Sequence, residues 1–209
     1  MTSIYKFGFR SGLAAFIFTL AYCIVQILQV AGVLHFPADE ILIYGTSLGI
    51  VVPFILAILS LHYVTPPERK FWSHAALVFT ILYAVFVTAN YVVQLATVIP
   101  MKLKGAGDEI RVLEQTPHSM FWNFDAIGYI FLGLATMTAV PAFEKYGFQQ
   151  WVRLAFLANG LVTPLISFVY FYPYYSEKIL ILGYPWAITA PLSMLMLAIM
   201  FHKKGVHRE

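Results

Sequence analysis

Apolar stretches of about 20 residues recur along the whole chain, and each is long enough to cross a hydrocarbon core of about 30 Å as an α-helix. Of the 209 residues, 60% are hydrophobic and 11% are charged, whereas an ordinary soluble domain has about 25% charged residues. A water-soluble fold could not cover this much apolar surface. The sequence therefore predicts an integral membrane protein in contact with the lipid bilayer.

The apolar stretches indicate helices rather than strands. Transmembrane β-strands alternate apolar and polar residues over about 10 positions, but segments such as 13–34 and 50–61 are apolar on every face for most of their length. Helices satisfy their own backbone inside lipid. We therefore predict an all-α, polytopic membrane protein, with residues 1–209 forming a single transmembrane domain. The predicted six-helix bundle has short loops and spans near 9–34, 41–63, 72–99, 119–142, 150–172 and 180–201.

The distribution of Lys and Arg predicts the orientation of these spans. Lys and Arg are enriched in cytoplasmic loops, and nine of the 13 basic residues fall on the side that carries the termini: Lys6, Arg10, Arg69, Lys70, Lys145, Arg153, Lys203, Lys204 and Arg208. We therefore expect both termini in the cytoplasm and the protein in the cell membrane. The net charge of +3 follows from this bias, so it does not indicate a nucleic-acid partner.

Asp125 is the one acidic residue inside a predicted span. A carboxylate at the centre of a transmembrane helix costs roughly 2.5 to 3.5 kcal/mol on insertion scales, so polar groups must compensate it. Candidates at a similar depth lie in the first, third and fourth spans, and a polar stripe begins at Asn159 in the fifth. Trp122 and Tyr129 share the helix face of Asp125 through their i, i+3, i+7 spacing. We predict a ligand-binding site formed by Asp125, Asn90, Gln94, Gln26, Tyr129, Trp122 and Asn159.

Two interpretations of Asp125 remain open at this point. In the functional interpretation, an outward-opening pocket uses the carboxylate as a counter-ion for a cation, a proton carrier or a general acid. In the structural interpretation, the carboxylate is a polar contact between helices, bonded to Asn90 or Gln94. The sequence alone does not decide between them.

The functional interpretation predicts binding or transport of a small amphipathic or cationic molecule, with aromatic side chains supplying cation-π contacts. An alternative is a membrane-embedded isomerase or cyclase that acts on a lipid or isoprenoid, with Asp125 as general acid. A further alternative is an accessory or sensor protein without a ligand pocket. No sequence pattern indicates a cofactor or a metal site, so we predict neither.

Gly45 and Gly49 form a GxxxG pair in the second predicted span. Such pairs let two helices approach closely. We expect packing within the bundle, and the alternative is a homo-oligomer or a membrane partner that uses the same two residues.

Overall fold

The computed structural model describes residues 3–206. Its helical content is 86%, and the described residues contain no strand. Arg208, one of the cations that predict the orientation, lies outside the described residues.

Six helices are long and apolar enough to cross a membrane, which fits a multi-pass membrane protein. They are α1 (Ser3–Val30), α2 (Ala38–Val64), α3 (Lys70–Val93), α6 (Met120–Ala139), α7 (Gly147–Phe171) and α9 (Trp186–Val206). α3 continues through a π-helical segment (Gln94–Val98) into the short helix α4 (Ile99–Leu103), so these three elements form one span. The connecting segments contain the short helices α5 (Gly107–Ile110) and α8 (Glu177–Leu180) and four 3-10 turns, Pro67–Arg69, Arg111–Leu113, Val140–Ala142 and Ile181–Gly183.

Each predicted span overlaps one of these helices, but several ends differ. α1 begins at Ser3 rather than near residue 9, and α9 covers Trp186–Val206 rather than 180–201. α1 ends at Val30 rather than near residue 34, and the chain turns at Gly32, whose positive φ of 67° suits glycine. The third span continues to Leu103, past Pro100. Proline lacks the N–H that would extend the α-helical pattern, and the wider π-helical turn before it lets the helix continue.

The six long helices form a ring in which each packs against its neighbours in sequence, and α9 closes the ring against α1. The closing contact is tight: a Cβ atom on Gly12 would lie 3.2 Å from the Cα of Ala198. Tyr5 also packs edge-on against Phe201, so α1 begins where α9 ends. We call this the termini end. The opposite, long-loop end carries residues 31–37, 104–119 and 172–185.

The interior of the ring changes character along its length. Towards the termini end it is filled by apolar side chains, among them Ile58, Phe143, Phe156 and Met200. Towards the long-loop end it is lined by tyrosines and by a buried carboxylate. The polar interior therefore lies in the half of the bundle beneath the long connecting segments.

Candidate functional site

Asp125 lies in the second turn of α6 and is only 3% exposed. Ser119 caps the helix by accepting a hydrogen bond of 3.1 Å from the backbone N–H of Trp122, as short polar side chains commonly do. The Tyr91 hydroxyl in α3 donates to Oδ1 of Asp125, and the Tyr170 hydroxyl in α7 donates to Oδ2, each over 2.5 Å. One carboxylate therefore connects three helices.

Neutral groups are the partners of this carboxylate. Among the described residues, the ion pairs join Arg69 to Glu144 and Lys102 to Glu40 and Glu114, and none involves Asp125. Its further hydrogen-bonding neighbour is the side chain of Gln115, also neutral. A buried carboxylate is usually paired with a cation or coordinates a metal. No cation among the described residues therefore neutralises Asp125, and a cationic ligand would supply the missing positive charge.

The connecting segment between α5 and α6 is fastened over the site by two amides of the third span. The Asn90 side chain donates to the Gln115 side chain over 2.9 Å. The Gln94 side chain donates to the Leu113 carbonyl over 2.8 Å and accepts from the Gln115 backbone N–H over 3.3 Å. Asn90 and Gln94 are buried and four residues apart, so they project from the same helix face. Residues 113–115, which we call the cap, close the bundle here.

Lys102 holds the cap from its outer side. Its Nζ lies 3.2 Å from Oε1 of Glu40 in α2 and 3.8 Å from Oε2 of Glu114 in the cap. The same ammonium lies 5.4 Å from the centre of the Phe36 ring. Partly exposed contacts of this kind contribute about 0 to 1 kcal/mol each, so they position the cap without fixing it strongly.

Aromatic rings continue from the carboxylate into the centre of the bundle. The Trp122 and Tyr170 ring centres are 4.5 Å apart, and Tyr129 lies 6.0 Å from Tyr170. The Trp186 ring centre is 4.9 Å from that of Tyr129 and 5.6 Å from that of Tyr22. We call these five residues the aromatic lining. Because the faces of such rings attract cations, the lining and the carboxylate favour the same kind of ligand.

A chain of hydrogen bonds leads from the lining to the long-loop end. Tyr129 donates to the Tyr22 hydroxyl over 2.8 Å, and Tyr22 donates to Gln26 over 3.1 Å. Gln26 then donates to Gln29 over 3.2 Å, and Gln29 donates to Asp39 over 2.9 Å. Gln26 thus reaches the site through Tyr22.

The space enclosed by the lining is small. A cavity of about 10 Å³ lies between residues that include Tyr22, Tyr83, Tyr91, Tyr129 and Trp186. This volume corresponds to about one water molecule, whereas pockets for small molecules usually measure about 300 to 1,000 Å³. The structure is therefore a closed arrangement, in which this cavity is too small for an organic molecule and Asp125 is almost completely buried.

The residues predicted from sequence fall into three groups. Trp122, Tyr129 and Gln26 lie with Asp125 or connect to its aromatic lining. Asn90 and Gln94, which the structural interpretation pairs with Asp125, instead bind the cap. Their hydrogen bonds go to the connecting segment, whereas Tyr91 and Tyr170 donate to the carboxylate oxygens.

Asn159 belongs to a separate polar contact. Its Nδ2 donates to the Thr136 hydroxyl over 3.2 Å, and its Oδ1 accepts from the Thr189 hydroxyl over 3.1 Å. Further along the predicted stripe, Ser167 donates to the backbone carbonyl of Thr163 within the same helix. The stripe in α7 therefore ties α6, α7 and α9 together and does not extend the Asp125 site.

Sequence reasoning missed four residues that complete the site: Tyr22, Tyr91, Tyr170 and Gln115. A usable signal existed for Tyr91, since Tyr83, Val87 and Tyr91 recur every four residues and share one helix face. Tyr170 resembled the interfacial aromatic residues that flank many membrane helices. Gln115 lies in a connecting segment, where no helical period predicts its direction.

The two glycines of the GxxxG pair have different surroundings. A Cβ atom on Gly49 would lie 2.3 Å from the ring of Phe18 in α1, whereas a Cβ on Gly45 would meet nothing within 4 Å. Gly49 therefore permits the packing of α1 against α2. Gly45 faces open space.

Comparisons of this chain with protein-family models, curated proteins and solved structures found no match. A carboxylate held by neutral donors beside aromatic rings can act as the counter-ion of an organic cation or can exchange a proton.

Proposed function

We propose that the six long helices cross the cell membrane with both termini in the cytoplasm. Large apolar side chains, among them Ile27, Val52, Leu161 and Ile188, are exposed on the outside of the ring. Extended apolar surfaces of this kind need a lipid or protein environment. The excess of Lys and Arg at the termini end supports its cytoplasmic orientation.

In this proposal the protein binds a small organic cation, such as an amine or a quaternary ammonium compound, at Asp125. The proposal rests on the surroundings of the Asp125 carboxylate. The carboxylate is buried, all its described hydrogen-bond partners are neutral, and it lies next to the aromatic lining. Recognition of ammonium groups by aromatic rings is the main functional use of cation-π contacts. Transport would follow if the site opened alternately to the two sides.

Binding requires the cap to move, because the closed cavity is too small for such a ligand. Movement of residues 113–115 would break three hydrogen bonds made by Asn90 and Gln94. The route would then pass the long-loop end, where the sequence has six acidic and four basic residues. A negative entrance raises the local concentration of cations.

The experiment is a thermal-shift titration of purified full-length protein with choline. Its neutral isostere 3,3-dimethylbutan-1-ol serves as the matched ligand control. A ligand that binds only the folded state at 100 times its Kd stabilises that state by about 2.7 kcal/mol. We expect choline to stabilise the wild type and the isostere to have no effect.

Two variants separate binding at Asp125 from a general charge effect. Asp125→Asn removes the buried charge, and Asp108→Asn removes one charge from an exposed position in α5 at the same end. We expect choline to stabilise Asp108→Asn as it does the wild type and to leave Asp125→Asn unchanged. If amines and quaternary ammonium compounds all fail to stabilise the wild type while Asp125→Asn is less stable, the carboxylate is a structural tie and the proposal is wrong.

A further inference from the structure

A second cavity lies at the termini end, far from the aromatic lining. Its volume is about 500 Å³, within the usual range for ligand sites. It is formed by the Pro67–Arg69 turn, the segment between α6 and α7, and the first turns of α7. The lining residues that matter for its chemistry are Arg69, Phe143, Glu144, Lys145, Tyr146 and Arg153.

The cavity has an excess of positive charge. Arg69 is committed to Glu144, with Nη1 at 2.8 Å from Oε1 and Nη2 at 2.9 Å from Oε2. The hydrogen bond from Arg69, helped by one from Tyr146 and by the charge of Lys204, lowers the pKa of the Glu144 carboxyl. This carboxylate therefore stays ionised and holds Arg69 in place.

Two further cations face the cavity without such a partner. Lys145 is exposed and Arg153 is half-buried. Within residues 3–206, neither side chain makes an ion pair or a hydrogen bond to an acidic group. The cavity lining therefore contains three cations and one carboxylate, and the two cations outside the ion pair flank the start of α7 in sequence.

The start of α7 lies next to this positive region, since Tyr146, immediately before the helix, lines the cavity. The helix begins at Gly147, and no side chain caps it. The first N–H groups of a helix lack partners within the helix and attract anions. Arg153 can in addition present two parallel N–H groups to the oxygens of a phosphate. The combined donor set suits a phosphate ester better than a single carboxylate.

The surroundings point to a lipid as the source of that phosphate. The cavity lies where α6 ends and α7 begins, and the exposed ring of Tyr146 lines it. A second exposed aromatic residue, Trp151, follows in the second turn of α7. Aromatic residues at such positions mark the level of the lipid headgroups. Basic pockets between helices on the cytoplasmic side bind anionic headgroups.

We propose that this cavity binds the phosphate of an anionic phospholipid, with Lys145 and Arg153 as its ligands and with Arg69 oriented by Glu144. The shared chemistry is that of a phosphate anion, which a free phosphate would also offer. The lipid is favoured because its acyl chains would lie against the apolar outer surface of the bundle. The site is independent of Asp125.

The experiment is native mass spectrometry of delipidated, full-length protein in detergent, with phosphatidylglycerol and phosphatidylcholine added at equal concentration. We expect selective retention of phosphatidylglycerol. Since each Lys or Arg near an anionic surface is worth about a fivefold change in affinity, Lys145→Gln and Arg153→Gln should each lower that retention about fivefold. The double variant should lower it about 25-fold.

The matched control is Lys104→Gln, which removes an exposed cation at the long-loop end and should leave lipid retention unchanged. Both altered side chains at the cavity are partly or fully exposed, and an unchanged melting temperature would show that the variants fold. Equal retention of the two lipids, or no loss in the double variant, overturns the proposal. If millimolar inorganic phosphate displaces phosphatidylglycerol, and the protein retains phosphatidylglycerol no better than phosphatidylcholine, the site binds free phosphate and the assignment to a lipid is wrong.

Discussion

Tyr170→Phe tests how far Asp125 depends on neutral hydrogen-bond donors. The change removes the hydroxyl that donates to Oδ2 over 2.5 Å but keeps the ring that packs against Trp122. A hydrogen bond to a charged group contributes about 1.5 to 3 kcal/mol. Ordinary side-chain hydrogen bonds between membrane helices average about 0.6 kcal/mol. We expect Tyr170→Phe to lower the free energy of unfolding by about 1.5 to 3 kcal/mol.

The assay is equilibrium unfolding in mixed micelles followed by circular dichroism. Tyr174→Phe is the matched control, because Tyr174 lies in the connecting segment that follows α7 and is 77% exposed. A surface substitution of this kind should change the free energy of unfolding by less than about 0.5 kcal/mol. The two variants remove the same atom, so the difference between them isolates the contact with Asp125.

A double-mutant cycle separates the hydroxyl from its acceptor. In the Asp125→Asn background the remaining contact is between neutral groups, and Tyr170→Phe should then cost only about 0.6 kcal/mol. The coupling between Tyr170 and Asp125 should therefore be about 1 kcal/mol or more. Equal losses in the two backgrounds, or a loss no greater than that of Tyr174→Phe, would refute the view that neutral donors stabilise an anion here.

The other predictions concern packing, the cap and the termini end. Gly49→Ala should destabilise the protein by about 1 to 3 kcal/mol, because its Cβ would overlap an aromatic ring of α1. Gly45→Ala is the control, since a Cβ at this position meets open space, and it should be neutral or slightly stabilising in the same unfolding assay. Gln94→Ala should speed hydrogen exchange at the Gln115 amide, measured by mass spectrometry, since that amide loses its acceptor. Unchanged exchange would show that the cap is held elsewhere. For Glu144, whose pKa is lowered in the fold by a hydrogen bond from an arginine, the stabilisation relative to Glu144→Gln should be present at neutral pH. It should begin to fall as the pH drops through about 4.3, the pKa of an unfolded glutamate, and should be lost below the lowered pKa of the folded state. A stability difference that does not decrease as the pH falls through this range contradicts the prediction.

The helices could be predicted because length and composition alone determine them. Any apolar stretch long enough to cross a membrane must form a helix to satisfy its backbone, and six such stretches define the six long helices. The ends depend on local chemistry that is harder to interpret. The turn at Gly32 and the π-helical turn before Pro100 moved two boundaries by several residues.

Part of the candidate site could be predicted, but the direct hydrogen-bond donors to its carboxylate could not. Asp125 stands out because an acidic residue inside an apolar span is costly. Its partners Tyr91 and Tyr170 lie 34 and 45 residues away in sequence. Their contact with the carboxylate depends on the rotation of α3 and α7 about their own axes, which weak apolar periodicity does not determine. Gln115 depends on the path of a connecting segment.

The closed site has an unused hydrogen-bond acceptor to which the hydroxyl of choline or the N–H groups of a protonated amine would donate. The Oδ1 atom of Asn90 is buried and, among the described side chains, has no donor. Opening the cap breaks three hydrogen bonds of about 0.5 to 1.5 kcal/mol each. An open state a few kcal/mol higher is populated at about 0.1 to 10%, and the apparent Kd rises by the inverse of that fraction. Gln94→Ala removes two of the three bonds, so it should tighten choline binding while lowering stability. A structural tie would show the loss of stability alone.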